Sequence, residues 1–268
     1  MIEKCFILTL VIMLSGCVSE RNRTLSPPED TQWVTVGVNV PEELMVLPLA
    51  VIYRSEICKR TRHNSSGEAY EVPGYNSMEF PVSQKDSTKN FYDVKLARQG
   101  GGRCQWHLSV ADIRLQYKNT LQFGQGTESV ESSIRLEFDY LAANQGGWHQ
   151  RINSDGLISK DYFPYLTEDF IGGYEKIIWI YNGKMDERYS ALNINSITFY
   201  PLLHSDKLIK SIGPKKKEKG AHRTLIYPDG TTIPITEAFP DIEEIYKVMK
   251  DRAIAHIIIN TNLFIHFN

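Results

Sequence analysis

From Trp33 to Val40 every second residue is a valine: Val34, Val36, Val38 and Val40 alternate with Thr35, Gly37 and Asn39. Side chains on a strand point to opposite faces in turn, so this spacing predicts a strand with one buried side. A helix made of the same residues would scatter the valines around its axis. Pro41 ends the run. The same signature returns in Val46 to Tyr53 (VLPLAVIY), where Pro48 suits an edge or a bulge. It returns again in Phe91 to Ala97 and in Ser132 to Tyr140. Trp106, Leu108 and Val110 share one parity, whereas Ile113, Leu115 and Tyr117 share the other. One strand through both sets must bulge near Ala111-Asp112 to bury them all. Gly100-Gly101-Gly102 reads as a turn, and Arg60 to Ser77, rich in Arg, Asn, Ser and Gly, as a long loop. The first half carries no helical period, and strands at this spacing predict a β-sandwich.

Leu141 to Gly156, with Gly146-Gly147 and Asp155-Gly156, reads as a boundary between a sandwich-like domain over 32–141 and a second domain over 142–268. In the second half, Ile177 to Ile180 is an unbroken apolar run within Lys176 to Tyr181, which predicts a central strand. Asn182-Gly183 marks a turn, and Leu192 to Tyr200 a further strand. Leu225 to Ile235 predicts a hairpin around Asp229-Gly230. Asp241 to Arg252 is the one helical pattern: Ile242, Ile245, Tyr246 and Met249 share a face, Asp241 caps it, and Lys250 and Arg252 close it. Ile254 to Ile259 reads as a last strand. The expected fold class is therefore mainly β: a sandwich-like first domain and an α+β second domain with one C-terminal helix.

The N-terminus reads differently. Lys4 precedes an apolar run, Phe6 to Leu14, which leads into Leu14-Ser15-Gly16-Cys17. A basic start, a short apolar stretch and small residues before the cut describe an export signal over 1–16. The run falls short of the roughly 20 apolar residues that a membrane span needs. Leu14 to Cys17 resembles the lipobox of bacterial lipoproteins, which implies acylation of Cys17 as the first residue of the mature chain. In that family an Asp after the Cys retains the protein at the inner membrane. Val18 stands there instead, which implies the periplasmic face of the outer membrane. Residues 17–31, polar and with Pro27-Pro28, read as a flexible tether. Cys5 leaves with the signal and Cys17 takes lipid, so Cys58 and Cys104 remain as an even pair in an oxidising compartment. A disulfide is expected.

Chemistry is harder to find. The 30 basic and 32 acidic residues nearly cancel, so no global field marks the chain for nucleic acid. None of His63, His107, His149, His204, His222, His256 and His266 lies three or four residues from another, and no HExxH or CxxC occurs. GxSxG is absent, and Gly100 to Gly102 lacks the Lys-Ser/Thr of a phosphate loop. These absences predict a protein with no metal, no cofactor and no catalysis. Asp161, Glu168 and Asp169 lie among aromatics, as glycosidase acids can, but read equally as a solvated acidic loop. Asp161 to Tyr174 (DYFPYLTEDFIGGY) packs five aromatics among three acids and reads as a partner surface or as a core edge. Lys215 to Lys219 (KKKEK) reads as a solvated loop that could meet anionic lipid heads.

One longer pattern remains. Tyr53-Arg54-Ser55, Cys58, Lys59-Arg60-Thr61-Arg62, Asn64-Ser65-Ser66, Gly74-Tyr75-Asn76 and Gly101-Gly102-Arg103-Cys104-Gln105-Trp106 follow in order. This stretch resembles enterobacterial lipoproteins encoded beside type VI secretion phospholipase effectors, which serve as their immunity proteins. The resemblance implies a periplasmic protein that binds and blocks an incoming lipase, with two partners: the cognate effector and, through Cys17, outer-membrane lipid. Loops 60–75 and 161–174 are the candidate contacts, with Arg60, Arg62, Tyr75, Asp161, Tyr162, Phe163, Tyr165, Glu168 and Asp169 as contact residues. An envelope hydrolase or glycan-binding lipoprotein, and a structural component of a secretion apparatus, are the alternatives.

Overall fold

The computed structural model describes residues 23–85, 89–140, 149–152, 154–183 and 187–239. The signal, Cys17, the helix expected over Asp241–Arg252 and the strand expected over Ile254–Ile259 lie outside the described residues.

Among the described residues more than half lie in strands and almost none in helix. The first half supplies β1 (Trp33–Asn39), β2 (Leu44–Val46), β3 (Leu49–His63), β4 (Ala69–Phe80), β5 (Ser83–Gln84), β6 (Phe91–Ala97), β7 (Gln99–Gly101), β8 (Trp106–Tyr117), β9 (Glu128–Ser129) and β10 (Ser132–Glu137). The second half supplies β11 (His149–Arg151), β12 (Leu157–Asp169), β13 (Glu175–Tyr181), β14 (Glu187–Ser190), β15 (Ser196–Leu203), β16 (Ile209–Ile212), β17 (Arg223–Ile226) and β18 (Thr232–Ile235).

These strands form two sheets. One runs β11-β14-β10-β8-β3-β4, with β2 and β7 also paired to β8. The other runs β18-β17-β16-β12-β15-β1-β6-β5, with β13 on β12 and β9 on β13. The fold is mainly β and sandwich-like, as the alternation predicts.

The strands do not follow the division expected at 141/142. The valine strand β1 lies between β6 of its own half and β15 of the other, with Val36 beside Ile197 in parallel. In the opposite direction, β14 joins β10, placing Leu136 beside Tyr189. A single core runs through Val34, Val36, Val38, Leu136, Ile197 and Phe199. Alternation reports that a strand has a buried side, not which strand lies next to it, so the interleaving was invisible in the residues.

Four further details depart from or sharpen the expectations. The bulge in β8 falls at Ser109: Ile52 pairs with Val110 but Tyr53 pairs with Leu108. That single extra residue changes the parity, so Trp106, Ala111, Ile113 and Leu115 are all buried. The apolar strand β13 is not central. It pairs fully with β12, but only Ile177 and Ile178 meet a neighbour, β9, on the other side. The hairpin around Asp229-Gly230 forms as β17 and β18, closed by Tyr227 N–H donating to Thr231 O at 2.9 Å.

Finally, residues 23–31 are fixed to the body, although their composition reads as tether. Ser26 N–H donates to Gly100 O at 2.8 Å, and Asn76 Nδ2 donates to Arg23 O at 2.7 Å. Leu25 packs on the core. Gly101, at φ +61°, has to be glycine here, because a Cβ would sit 2.1 Å from Ser26 O.

Candidate partner-binding site

The stretch 60–77, which its composition marks as a loop, is most of a long hairpin. β3 keeps its pairing to β8 only as far as Arg54, opposite His107. Beyond that point it pairs with β4 alone, through Arg60–Val72, Thr61–Glu71, Arg62–Tyr70 and His63–Ala69. From Ser55 outward the hairpin is therefore a two-stranded ribbon that leaves the sheet, and from Glu56 onward its β3 arm is exposed or half-buried. Composition misled here because a ribbon with both faces wet needs no apolar alternation.

A two-stranded hairpin is marginal alone in water, and this one is held at its root. Cys58 and Cys104 form the expected disulfide, with Cα atoms 5.3 Å apart. Ser55, fully buried, donates its hydroxyl to Cys104 O at 2.5 Å and accepts the N–H groups of Ile57 and Cys58 at 3.2 and 2.9 Å. The register shifts between Ser55 and Arg60, so several residues of β3 face little of β4. Gly74 lies where they crowd, since a Cβ there would stand 1.9 Å from Cys58 O. Tyr53, buried just below, donates its hydroxyl to Ala97 O at 2.9 Å, and burial pushes its pKa up to about 12. At the tip, Asn64 Oδ1 accepts the N–H groups of Ser66 and Glu68 at 3.0 and 2.9 Å, which shapes the turn from within.

The ribbon and its root present a particular set of side chains. The Arg60 guanidinium carbon lies 4.0 Å from the centre of the Tyr75 ring. Arg62 is opposite Tyr70, and Ile57, Tyr70 and Tyr75 are among the exposed large hydrophobics of the molecule. Lys59 and Glu71 form an exposed pair at 3.4 Å. Arginine and tyrosine on a fixed frame are the composition of a binding hot spot. Of the three candidates on this loop, Arg60 and Tyr75 are brought into contact and Arg62 lies on the same arm. Sequence reasoning missed Ile57 and Tyr70. The turn cluster Asn64 to Gly67 was the signal that could have placed Tyr70 on a returning strand.

The second candidate stretch behaves in the opposite way. Tyr162, Phe163 and Tyr165 lie in β12 and are buried, Tyr165 completely, so they are core residues and not a contact surface. Alternate side chains of β12 enter two apolar clusters, Tyr162 and Leu166 one and Phe163 and Tyr165 the other, so both of its faces are apolar, which explains the missing period. Burial raises the Tyr165 pKa to about 12, and its hydroxyl donates to Ala238 O.

The three acids do not converge. Asp161 Oδ1 is 2.7 Å from His204 Nε2, and the His204 ring stacks on Phe163 at 5.0 Å. Glu168 Oε1 accepts the Tyr174 hydroxyl at 2.9 Å. Asp169 is engaged by both terminal nitrogens of Arg223. Asp161 and Glu168 are seven residues apart on one strand, roughly 23 Å by its rise, beyond the 5–10 Å of a glycosidase pair. A small cleft lined by Glu131, Ser132, Tyr162, Trp179 and Asn182 includes none of the three. Among the described residues no group of three or more His, Cys, Asp or Glu is arranged to hold a metal ion, and no helix is long and apolar enough to cross a membrane.

No family model, no curated protein and no solved structure matches the chain.

Proposed function

We propose that this chain is a lipid-anchored immunity protein at the periplasmic face of the outer membrane, which binds a type VI secretion lipase effector and covers its active-site cleft. One observation carries the reading. The residues that resemble the immunity lipoproteins, from Tyr53 to Trp106, make up the projecting ribbon and the joint that fixes it. A ribbon already held in one conformation loses little freedom on binding, so its contacts convert into affinity. Arg60, Arg62, Tyr70 and Tyr75 are the contact residues in this reading, and the protein performs no chemistry itself. Inhibition is steric: the ribbon enters the cleft and excludes phospholipid.

The test is co-expression of the chain with the periplasm-directed lipase encoded beside it. Growth should be rescued, and the purified pair should co-elute with vesicle hydrolysis suppressed. Loss of viability despite export of both proteins, or separate elution, refutes the reading.

A further inference from the structure

A second exposed surface is built from other materials. The turn between β12 and β13 exposes Ile171 and Tyr174, and the Phe170 and Tyr174 rings lie 5.6 Å apart. The loop after β16 carries Lys215, Lys216, Lys217 and Lys219, all exposed. The two segments are held together: Gly213 N–H donates to Glu168 O at 2.7 Å, and Lys215 Nζ stands 5.8 Å from the centre of the Phe170 ring. The loop's own acid is Glu218. On the neighbouring strands, Asp169 is bound by Arg223 and Glu168 by Tyr174, while Glu175 stands beside Lys176. With Arg223 paired to Asp169, the four exposed lysines of the loop outnumber Glu168, Glu175 and Glu218, so the patch stays positive.

We propose that this turn and loop form a docking surface for a bilayer of anionic phospholipid, with Phe170, Ile171 and Tyr174 entering the headgroup boundary and the lysines meeting phosphates. An aromatic and aliphatic tip beside a basic loop is the combination that peripheral proteins use at such interfaces. The identity of the cations selects a membrane over an acidic protein. Lysine is depleted from protein interfaces, whereas its strongly hydrated point charge on a long stem suits a diffuse layer of headgroups. The ribbon, with Arg60 and Arg62, has the contrasting composition. This surface operates whether or not the ribbon binds a lipase.

The experiment is amide hydrogen exchange of the full chain reconstituted in vesicles of phosphatidylglycerol and, separately, of phosphatidylcholine. Residues 170–174 and 214–220 should exchange several-fold more slowly in phosphatidylglycerol, and the ribbon tip 64–68 should not change. Combining Lys215→Glu, Lys216→Glu and Lys217→Glu should erase the difference while leaving exchange in β1 and β8 as it was. Equal exchange in the two lipids, slowing that survives the triple substitution, or slowing confined to other regions would each overturn the proposal.

Discussion

The β3–β4 ribbon and β12 teach most when set side by side. Each involves a strand of more than ten residues, and each contains a stretch whose sequence suggests a contact surface. In β12 the aromatics are inside, with Tyr165 packed against Tyr181 and Phe239 at ring separations of 5.0 and 5.6 Å. In the ribbon the aromatics are outside, and its rigidity comes from one covalent bond, one buried serine and one obligatory glycine. β12 is held by what surrounds it and the ribbon by what pins its base. Stability should therefore be concentrated in the first and binding in the second.

The sharpest way to break this contrast is Tyr165→Ala. Removing a fully buried aromatic should cost about 3–5 kcal/mol in urea unfolding; a loss under about 1 kcal/mol would mean that β12 is not the core strand described. Next, Cys58→Ser with Cys104→Ser should cost about 2–4 kcal/mol, since a closed loop with a sequence separation of 46 is released in the unfolded chain. Amide exchange should then rise most in residues 56–73. Uniform acceleration across both sheets would show that the bridge staples the whole body and not the ribbon.

Alkaline titration compares the root of the ribbon with β12 directly. Tyr53 and Tyr165 both ionise near 12 when folded, against about 10 when unfolded. Below pH 10 both states keep the proton and stability is constant. Between about 10 and 12 only the unfolded state loses it, so stability should fall by roughly 3 kcal/mol for each tyrosine. Tyr53→Phe and Tyr165→Phe should each remove their own share of that slope; an unchanged slope in either would show the hydroxyl to be wet. The smallest effect on folding should come from Arg60→Ala with Tyr75→Ala, within about 1 kcal/mol, as for exposed cation–π pairs. The same pair of substitutions should weaken a lipase complex at least tenfold in titration calorimetry, and full retention of affinity would move the contact off the ribbon.

Much of this was legible in the residues, and the misses share a cause. The valine strand, Phe91 to Ala97, the hairpin at Asp229-Gly230 and the Cys58–Cys104 bridge follow from local period, turn chemistry and cysteine arithmetic. These signals are short-range or nearly exclusive. The ribbon was missed because its two strands bury almost nothing and so carry no alternation. β12 reads as either a partner surface or a core edge because a strand covered on both faces has no polar side to reveal its period. Residues 23–31 look like a tether because their contacts with the body run largely through backbone atoms, which composition does not record.

By itself the sequence determined that this chain is built of strands, where about half of them lie, and which two sulfurs join, because those properties depend on each residue and its near neighbours. Only the tertiary structure decided that both sheets draw on both halves of the chain, that Tyr162, Phe163 and Tyr165 are core, and that Arg60 meets Tyr75 at the root of a projecting arm. Those outcomes depend on which strand lies beside which, and pairing between distant segments is settled by the packing of the whole core rather than by any one segment's pattern.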